Sequence, residues 1–393
     1  MIYRFHLLVG LLLSAWGPVA WAQQPSVPIT TSVPHLAYGL ESRSAGFGQI
    51  TTVSPLPYLA AGLDGNPALL TRPTRSIGGQ VGTLLPSFIR QGAGMNASFW
   101  QAGAWGSFGD YGALGGSAQY FSFGELTLTD EFGNPIGVAR PSEWNVSMRY
   151  ALAPTDQISL GIGMKLFHSG LNRLFDPQGT LETEPILSTA ADVGLWYHDE
   201  RIRKGRGWHW QAGLLLADVG QKVSYLPTTP RSFIPTRMEL GLLTGWRAGA
   251  FEVDLAYQAS KLMVPSVRFD SLRGRWIGGG TSELGLLEGM FTSFSDSDLG
   301  LRGELQEIIH QWGLEQRIRR DGWLVAFRQG LFLEHATKGN RRYASLGLSA
   351  GYAGLRFDLS GAWRWRALYQ SLAPPTSDRW HWTAGLAFVF EAA

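Results

Sequence analysis

An all-β fold, a transmembrane antiparallel barrel of about 14 strands preceded by a plug or hatch segment, is what this sequence predicts, on three observations. The first is a run in which Leu355, Phe357, Leu359, Gly361, Trp363 and Trp365 alternate with Arg356, Asp358, Ser360, Ala362, Arg364 and Arg366. Successive side chains of a strand point to opposite faces, so a period of two divides an apolar side from a charged one. A tilted strand of roughly 9 to 11 residues also crosses the hydrocarbon of a bilayer. The second observation is that such runs recur along the chain. The third is composition: 16 Trp, 12 Tyr, 20 Phe and 50 Gly, with only 16% charged residues, against about 25% in soluble domains. Aromatics and glycine in place of lysine and glutamate suit an outer face that meets lipid between aromatic girdles.

The elements follow in order. Arg4, the apolar run from Leu7 to Trp16 and the Ala20-Trp21-Ala22 cleavage site read as a secretory signal peptide over residues 1–22, which places the mature protein outside the cytoplasm. No cysteine follows it to carry a lipid anchor. Residues 23–75 are rich in proline and lack long alternation, which marks a segment that folds into the lumen as a plug. Residues 76–393 form the barrel. Its strands are expected near 76–84, 94–108, 113–129, 142–152, 157–170, 186–198, 207–218, 236–247, 250–260, 308–319, 322–334, 342–351, 354–366 and 380–390. An even number fits a bacterial outer-membrane barrel. No later run is long and apolar enough for a transmembrane helix.

Two strands show the division most plainly. Trp144, Val146, Met148 and Tyr150 alternate with Glu143, Asn145, Ser147 and Arg149, and Phe251, Val253, Leu255 and Tyr257 with Glu252, Asp254, Ala256 and Gln258. The first member of each set faces lipid and the second a lumen, where the charges are expected to pair with one another. Connections alternate in length, with short turns near 153–156, 247–249, 320–322 and 351–353 and long ones near 130–141, 171–185, 219–235, 261–307 and 367–379. Short turns belong to the periplasm and long loops to the exterior. A longer, basic turn over 198–206 falls on the periplasmic side. Within 261–307, Ser295 or Asp296 is expected to cap a helix running through Leu301, Leu305, Ile308 and Ile309.

Chemistry is mostly excluded. The chain has no Cys, so disulfides, thiolate catalysis and cysteine zinc sites are absent together. A net charge of +2 offers no case for nucleic acid. After the signal, His35, His168, His198, His209, His310, His335 and His381 lie in neither a G-x-S-x-G nor an H-E-x-x-H context. No enzyme activity, cofactor or metal is expected. Asp296-Ser297-Asp298 with Gly300 and Glu304 misses the spacing of a calcium loop and reads as a capping turn. Lys338-Gly339-Asn340-Arg341-Arg342 reads as a basic hairpin tip on an external loop.

Several separated segments then converge. They are Ser42-Arg43-Ser44-Ala45-Gly46-Phe47-Gly48, Gly65-Asn66-Pro67-Ala68, Tyr120-Phe121-Ser122-Phe123-Gly124-Glu125-Leu126-Thr127, Phe233-Ile234-Pro235-Thr236, Lys261-Leu262-Met263-Val264-Pro265, Phe291-Thr292-Ser293-Phe294-Ser295-Asp296 and Lys338-Gly339-Asn340-Arg341. As an ordered set the chain resembles the PorV family, outer-membrane barrels of the type IX secretion system within the FadL-like superfamily. The resemblance implies 14 strands and assigns Asn66, Pro67 and Ala68 to the plug. It also implies a role in protein transport: binding the C-terminal signal domains of cargo and shuttling cargo from the translocon barrel to a sortase-like attachment component. Candidate partner-binding residues on the external loops are then Lys261, Leu262, Val264, Pro265, Phe294, Asp296, Lys338, Asn340 and Arg341. Richness in Trp and Arg and the trailing Glu391-Ala392-Ala393 depart from the family pattern. The alternative is a FadL-like transporter of hydrophobic small molecules, against which the charged inward faces weigh.

Overall fold

The computed structural model describes residues 28–37, 41–55, 61–71, 76–84, 98–171, 184–226, 229–270, 275–281, 283–364 and 380–391. The signal peptide, Trp365, Arg366 and most of the loops expected at 171–185 and 367–379 lie outside them. Fourteen strands form one closed antiparallel barrel: β1 (Ser76–Leu84), β2 (Ser98–Ser107), β3 (Ala113–Ser122), β6 (Ser142–Leu152), β7 (Ile158–Ser169), β8 (Ile186–Arg203), β9 (Arg206–Gly220), β10 (Arg237–Ala248), β11 (Phe251–Leu262), β14 (Ile309–Arg320), β15 (Trp323–Leu333), β16 (Arg342–Tyr352), β17 (Leu355–Arg364) and β18 (Trp380–Glu391). β1 pairs with β18 from Ser76↔Glu391 to Leu84↔Thr383, which leaves no open sheet edge around the wall. Each corresponds to one of the 14 strands expected from sequence.

Alternation sets the two faces. On β7, Ile162 and Met164 are exposed while Lys165 and Phe167 are buried; on β6, Val146 and Met148 face out while Glu143, Asn145, Ser147 and Arg149 face in. Aromatic rows bound the apolar belt. Trp100, Tyr120, Trp144 and His168 are register partners across four strands at one end, and the Trp144 and His168 rings stack at 5.4 Å. At the other end Trp208 pairs with Trp246, and Trp323 with Tyr352 at 4.7 Å between rings.

The tight turns lie at the second end, where Ser76 and Glu391 also sit. Lys204-Gly205, Asp321-Gly322 and Ala353-Gly354 each have positive φ at both residues, from 48° to 89°. That is the geometry of a type I′ hairpin, whose twist matches the strands it joins, and glycine takes the second position without steric cost.

Three expectations change. The basic turn over 198–206 is not an extended turn: β8 runs on to Arg203, β9 starts at Arg206, and two residues join them. The run 113–129 is two strands, because at Gly124 φ is 77° and the chain leaves the wall; β4 (Leu126–Thr129) pairs instead with β5 (Pro135–Ala139) in a hairpin beyond the barrel. Within 261–307 a further hairpin, β12 (Arg268–Asp270) with β13 (Arg275–Ile277), precedes helices α3 (Leu286–Thr292) and α4 (Leu301–Gln306). Gly300, not Ser295 or Asp296, is the N-cap of α4, while Ile308 lies past its end and Ile309 belongs to β14.

Ahead of β1, the described residues 28–37, 41–55 and 61–71 pack inside the wall. Helix α1 (Ser42–Gly46) packs on β15 to β18, helix α2 (Ala61–Asp64) on β2 and β3, and a 3₁₀ turn (Pro67–Leu70) on β6, β7 and β8. Phe47, Ile50, Val53, Ala68 and Leu69 cluster with Trp196, Leu243 and Ala256 of the strands. Apolar burial, the dominant favourable term in packing, therefore joins this segment to the barrel from both sides.

Candidate functional site

Asn66 sits inside the wall, fully buried. Its Oδ1 accepts from the Ala68 N–H at 3.0 Å, capping the turn that Pro67 opens, and its Nδ2 donates to the Thr52 carbonyl at 3.2 Å and the Leu195 carbonyl at 2.9 Å. One amide thus satisfies three backbone groups that irregular chain would leave unpaired. The barrel makes room for it: a Cβ at Gly194 would collide with Asn66 Oδ1, and one at Gly161 with the Pro67–Ala68 backbone.

The bore around this segment is filled by charge pairs. Arg317 reaches Glu252 at 2.6 Å, Asp254 at 2.8 Å and Glu315 at 2.8 Å; Arg328 reaches Glu315 at 2.5 Å and Asp358 at 3.4 Å; Arg356 reaches Asp358 at 2.7 Å. Arg43 of the enclosed segment adds a contact to Glu315 at 3.5 Å. A second network links Arg149, Lys165, Asp192, Asp218, Arg237 and Glu239 at 2.5 to 3.0 Å. A cavity of about 20 Å³, bounded by Asp64, Asn145, Arg149 and Lys165, is the scale of a water molecule. His209, Glu252 and Asp254 bring an imidazole and two carboxylates within metal-ligand reach. The Arg317 guanidinium already supplies the positive charge between the two carboxylates.

The external loops contain the remaining sequence candidates, and the structure sorts them. Lys261 is buried, with Nζ at 3.0 Å from Glu304 and 2.5 Å from Glu307. Lys338 bonds the other oxygen of Glu307 at 2.7 Å, and Ser266 Oγ donates to that same oxygen at 2.6 Å. Asp296 accepts from the Ser266 N–H at 3.0 Å. Lys261, Asp296 and Lys338 therefore meet around Glu307, joining the 261–307 loop to the 334–341 loop. Arg341 instead forks onto Glu334 at 2.8 and 3.0 Å, and Asn340, at φ 54°, turns the chain between them. Val264 and Pro265 are buried and Leu262 is half-buried. Burial puts Lys261, Val264 and Pro265 out of a partner's reach, so they hold the loop rather than present it.

Ionisation follows from this packing. Burial pushes the Asp296 carboxyl up, aided by Glu307 and Glu304 and opposed by Ser266. Burial acts on Glu307 in the same direction, but hydrogen bonds from Lys261, Lys338 and Ser266 outweigh it and hold its carboxyl below the usual range. Burial, then Arg342, Lys338 and Arg302, push the His335 imidazole down.

Of the candidates, Phe294 is exposed, and it has company that the sequence reading missed. Leu287, Phe291, Leu299, Leu301 and Leu305 are exposed on the same loop, Phe291 at 71% and Leu301 at 76%. The available signal was the excess of Leu and Phe in a segment with no period of two.

Fourteen closed strands, an apolar belt between two aromatic rows and a charge-filled bore define a bacterial outer-membrane β-barrel. A family model described as type IX secretion system protein PorV matches residues 21–269, and the chain belongs to that family. The match ends before the segments at 291–296 and 338–341. No curated protein matches the sequence. Among solved structures, the toluene transporter TbuX of Ralstonia pickettii is similar at 13% identity and a TM-score of 0.46, over 90% of this chain and 100% of that one. The toluene transporter TodX of P. putida is similar at 13% identity and a TM-score of 0.45, over 90% and 98%.

Proposed function

We propose that this barrel is an adaptor of type IX secretion: its external loops bind the C-terminal signal domain of cargo, and the barrel carries cargo from the translocon barrel to a sortase-like attachment component. The observation that carries this reading is the exposed apolar surface of α3, α4 and their flanks, held in place by the buried Lys261–Glu307–Lys338 joint. A large exposed apolar patch marks an interaction site, and a preformed one loses less entropy on binding. The enclosed segment, with Asn66, Pro67 and Ala68, serves as a hatch that keeps the bore shut while the rim works. Uptake of hydrophobic small molecules would need an apolar route, and the ion pairs lining the bore support the first reading over it.

The test is capture of a purified cargo signal domain by the mature barrel in outer membranes. A Leu287→Ser/Phe291→Ser/Leu301→Ser variant should insert normally yet lose affinity by roughly tenfold per side chain engaged. Unchanged capture by that variant would sink the proposal.

A further inference from the structure

The periplasmic hairpin of β8 and β9 concentrates cations of a different kind from those in the bore. Arg203, Lys204 and Arg206 are exposed and lack an ion-pair partner among the described residues. Arg201 contacts Asp199 at 3.3 Å and lies over the Trp210 ring at 5.7 Å. Their direction is set by the pleat. Leu195 and Tyr197 face lipid on β8, so Arg201 and Arg203 continue that face; Trp208 and Trp210 face lipid on β9, so Arg206 does too. Register fixes their depth: Arg201 pairs with Trp208, and Arg203 with Arg206 two residues further out. Two residues of strand advance about 7 Å, which carries these arginines from the interfacial tryptophans to the depth of lipid phosphates.

We infer that Arg201, Arg203 and Arg206 form a binding site for an anionic phospholipid headgroup in the periplasmic leaflet, beside the Trp208–Trp246 pair. Planar guanidinium groups donate paired hydrogen bonds to phosphate oxygens, and tryptophan surface beside them receives the glycerol and upper acyl chain. The outward direction of all three arginines favours a lipid over a periplasmic protein, which would approach the tip from below. By the same alternation Glu200 points to the opposite face, whereas Asp199 shares the outward face and its carboxylate is held by Arg201, so Arg203 and Arg206 carry most of the attraction for the headgroup.

The experiment is native mass spectrometry of the mature barrel in dodecyl maltoside, titrated with palmitoyl-oleoyl phosphatidylglycerol or phosphatidylcholine. Each basic group at a membrane surface contributes about fivefold, so Arg203→Gln/Arg206→Gln should weaken phosphatidylglycerol binding about thirtyfold while phosphatidylcholine binding stays unchanged. Arg203→Lys/Arg206→Lys should retain most of the preference. Arg140→Gln, at an exposed arginine of the external β4–β5 hairpin, should alter neither lipid. Equal retention of the two lipids by the wild type, an unaffected double glutamine variant, or displacement of phosphatidylglycerol by soluble polyglutamate would overturn the assignment.

Discussion

Asn66 makes three backbone hydrogen bonds at a fully buried position. Leaving a buried donor or acceptor unmade costs about 1–3 kcal/mol, so Asn66→Ala should destabilise the barrel by about that amount in denaturant titration, with faster hydrogen exchange at the Ala68 amide. Asn66→Asp keeps the cap on Ala68 but loses the bonds to the Thr52 and Leu195 carbonyls, and should protect that amide while recovering little stability. An unchanged Ala68 amide in Asn66→Ala would show that the cap is not what orders the turn. The Asn-Pro-Ala motif was picked out by the family resemblance, and the cap that Asn66 places on a turn opened by Pro67 gives it a local physical reason. Its partner Leu195 was not legible, being 129 residues distant.

At the scale of elements, the wall and the loops differ in how far local pattern reaches. Most strands could be read to within a few residues because period two is counted along the chain; the exceptions are 113–129, which joined β3 to β4, and β8, which runs on to Arg203. The loops obey contacts across it: Asp296 does not cap α4 because Ser266 holds it, and Lys338 is not a free hairpin cation because Glu307 holds it. The 3₁₀ turn after His335 gives a pH prediction. His335 Nδ1 accepts from the Thr337 N–H at 3.3 Å, which requires a neutral imidazole. Its folded pKa lies below the ordinary 6.5, so the unfolded loop binds the proton more readily. The stabilisation is therefore present above pH 6.5 and lost as pH falls toward the folded value. Hydrogen exchange at Thr337 should quicken between pH 7.5 and 5.5 beyond the intrinsic pH trend, and His335→Asn, which keeps an acceptor without titrating, should abolish the excess.

For the whole molecule, packing residues 28–37, 41–55 and 61–71 inside a charge-paired bore has a functional consequence. Removing one member of a buried ion pair costs more than the pair contributes, so the two networks resist rearrangement into a pathway. In planar bilayers the mature barrel should show no steady ion conductance, while deletion of residues 23–71 should open one. A wild-type channel of steady conductance would mean that the bore is open in solution.

Sequence by itself determined the 14-strand wall, its lipid and lumen faces, and the end of the barrel at which tight turns lie, because pleat alternation, aromatic placement and Gly-containing turns are properties of neighbouring residues. The same logic foresaw that Arg356 and Asp358 would turn inward. Tertiary structure alone decided that Arg356 pairs with Asp358 while Arg328 bridges Asp358 to Glu315, that Gly194 makes room for Asn66, and that Leu287, Phe291, Phe294, Leu299, Leu301 and Leu305 remain exposed while Met290 turns in. Those outcomes depend on which distant strands closure brings together, and closure is a property of the whole sheet.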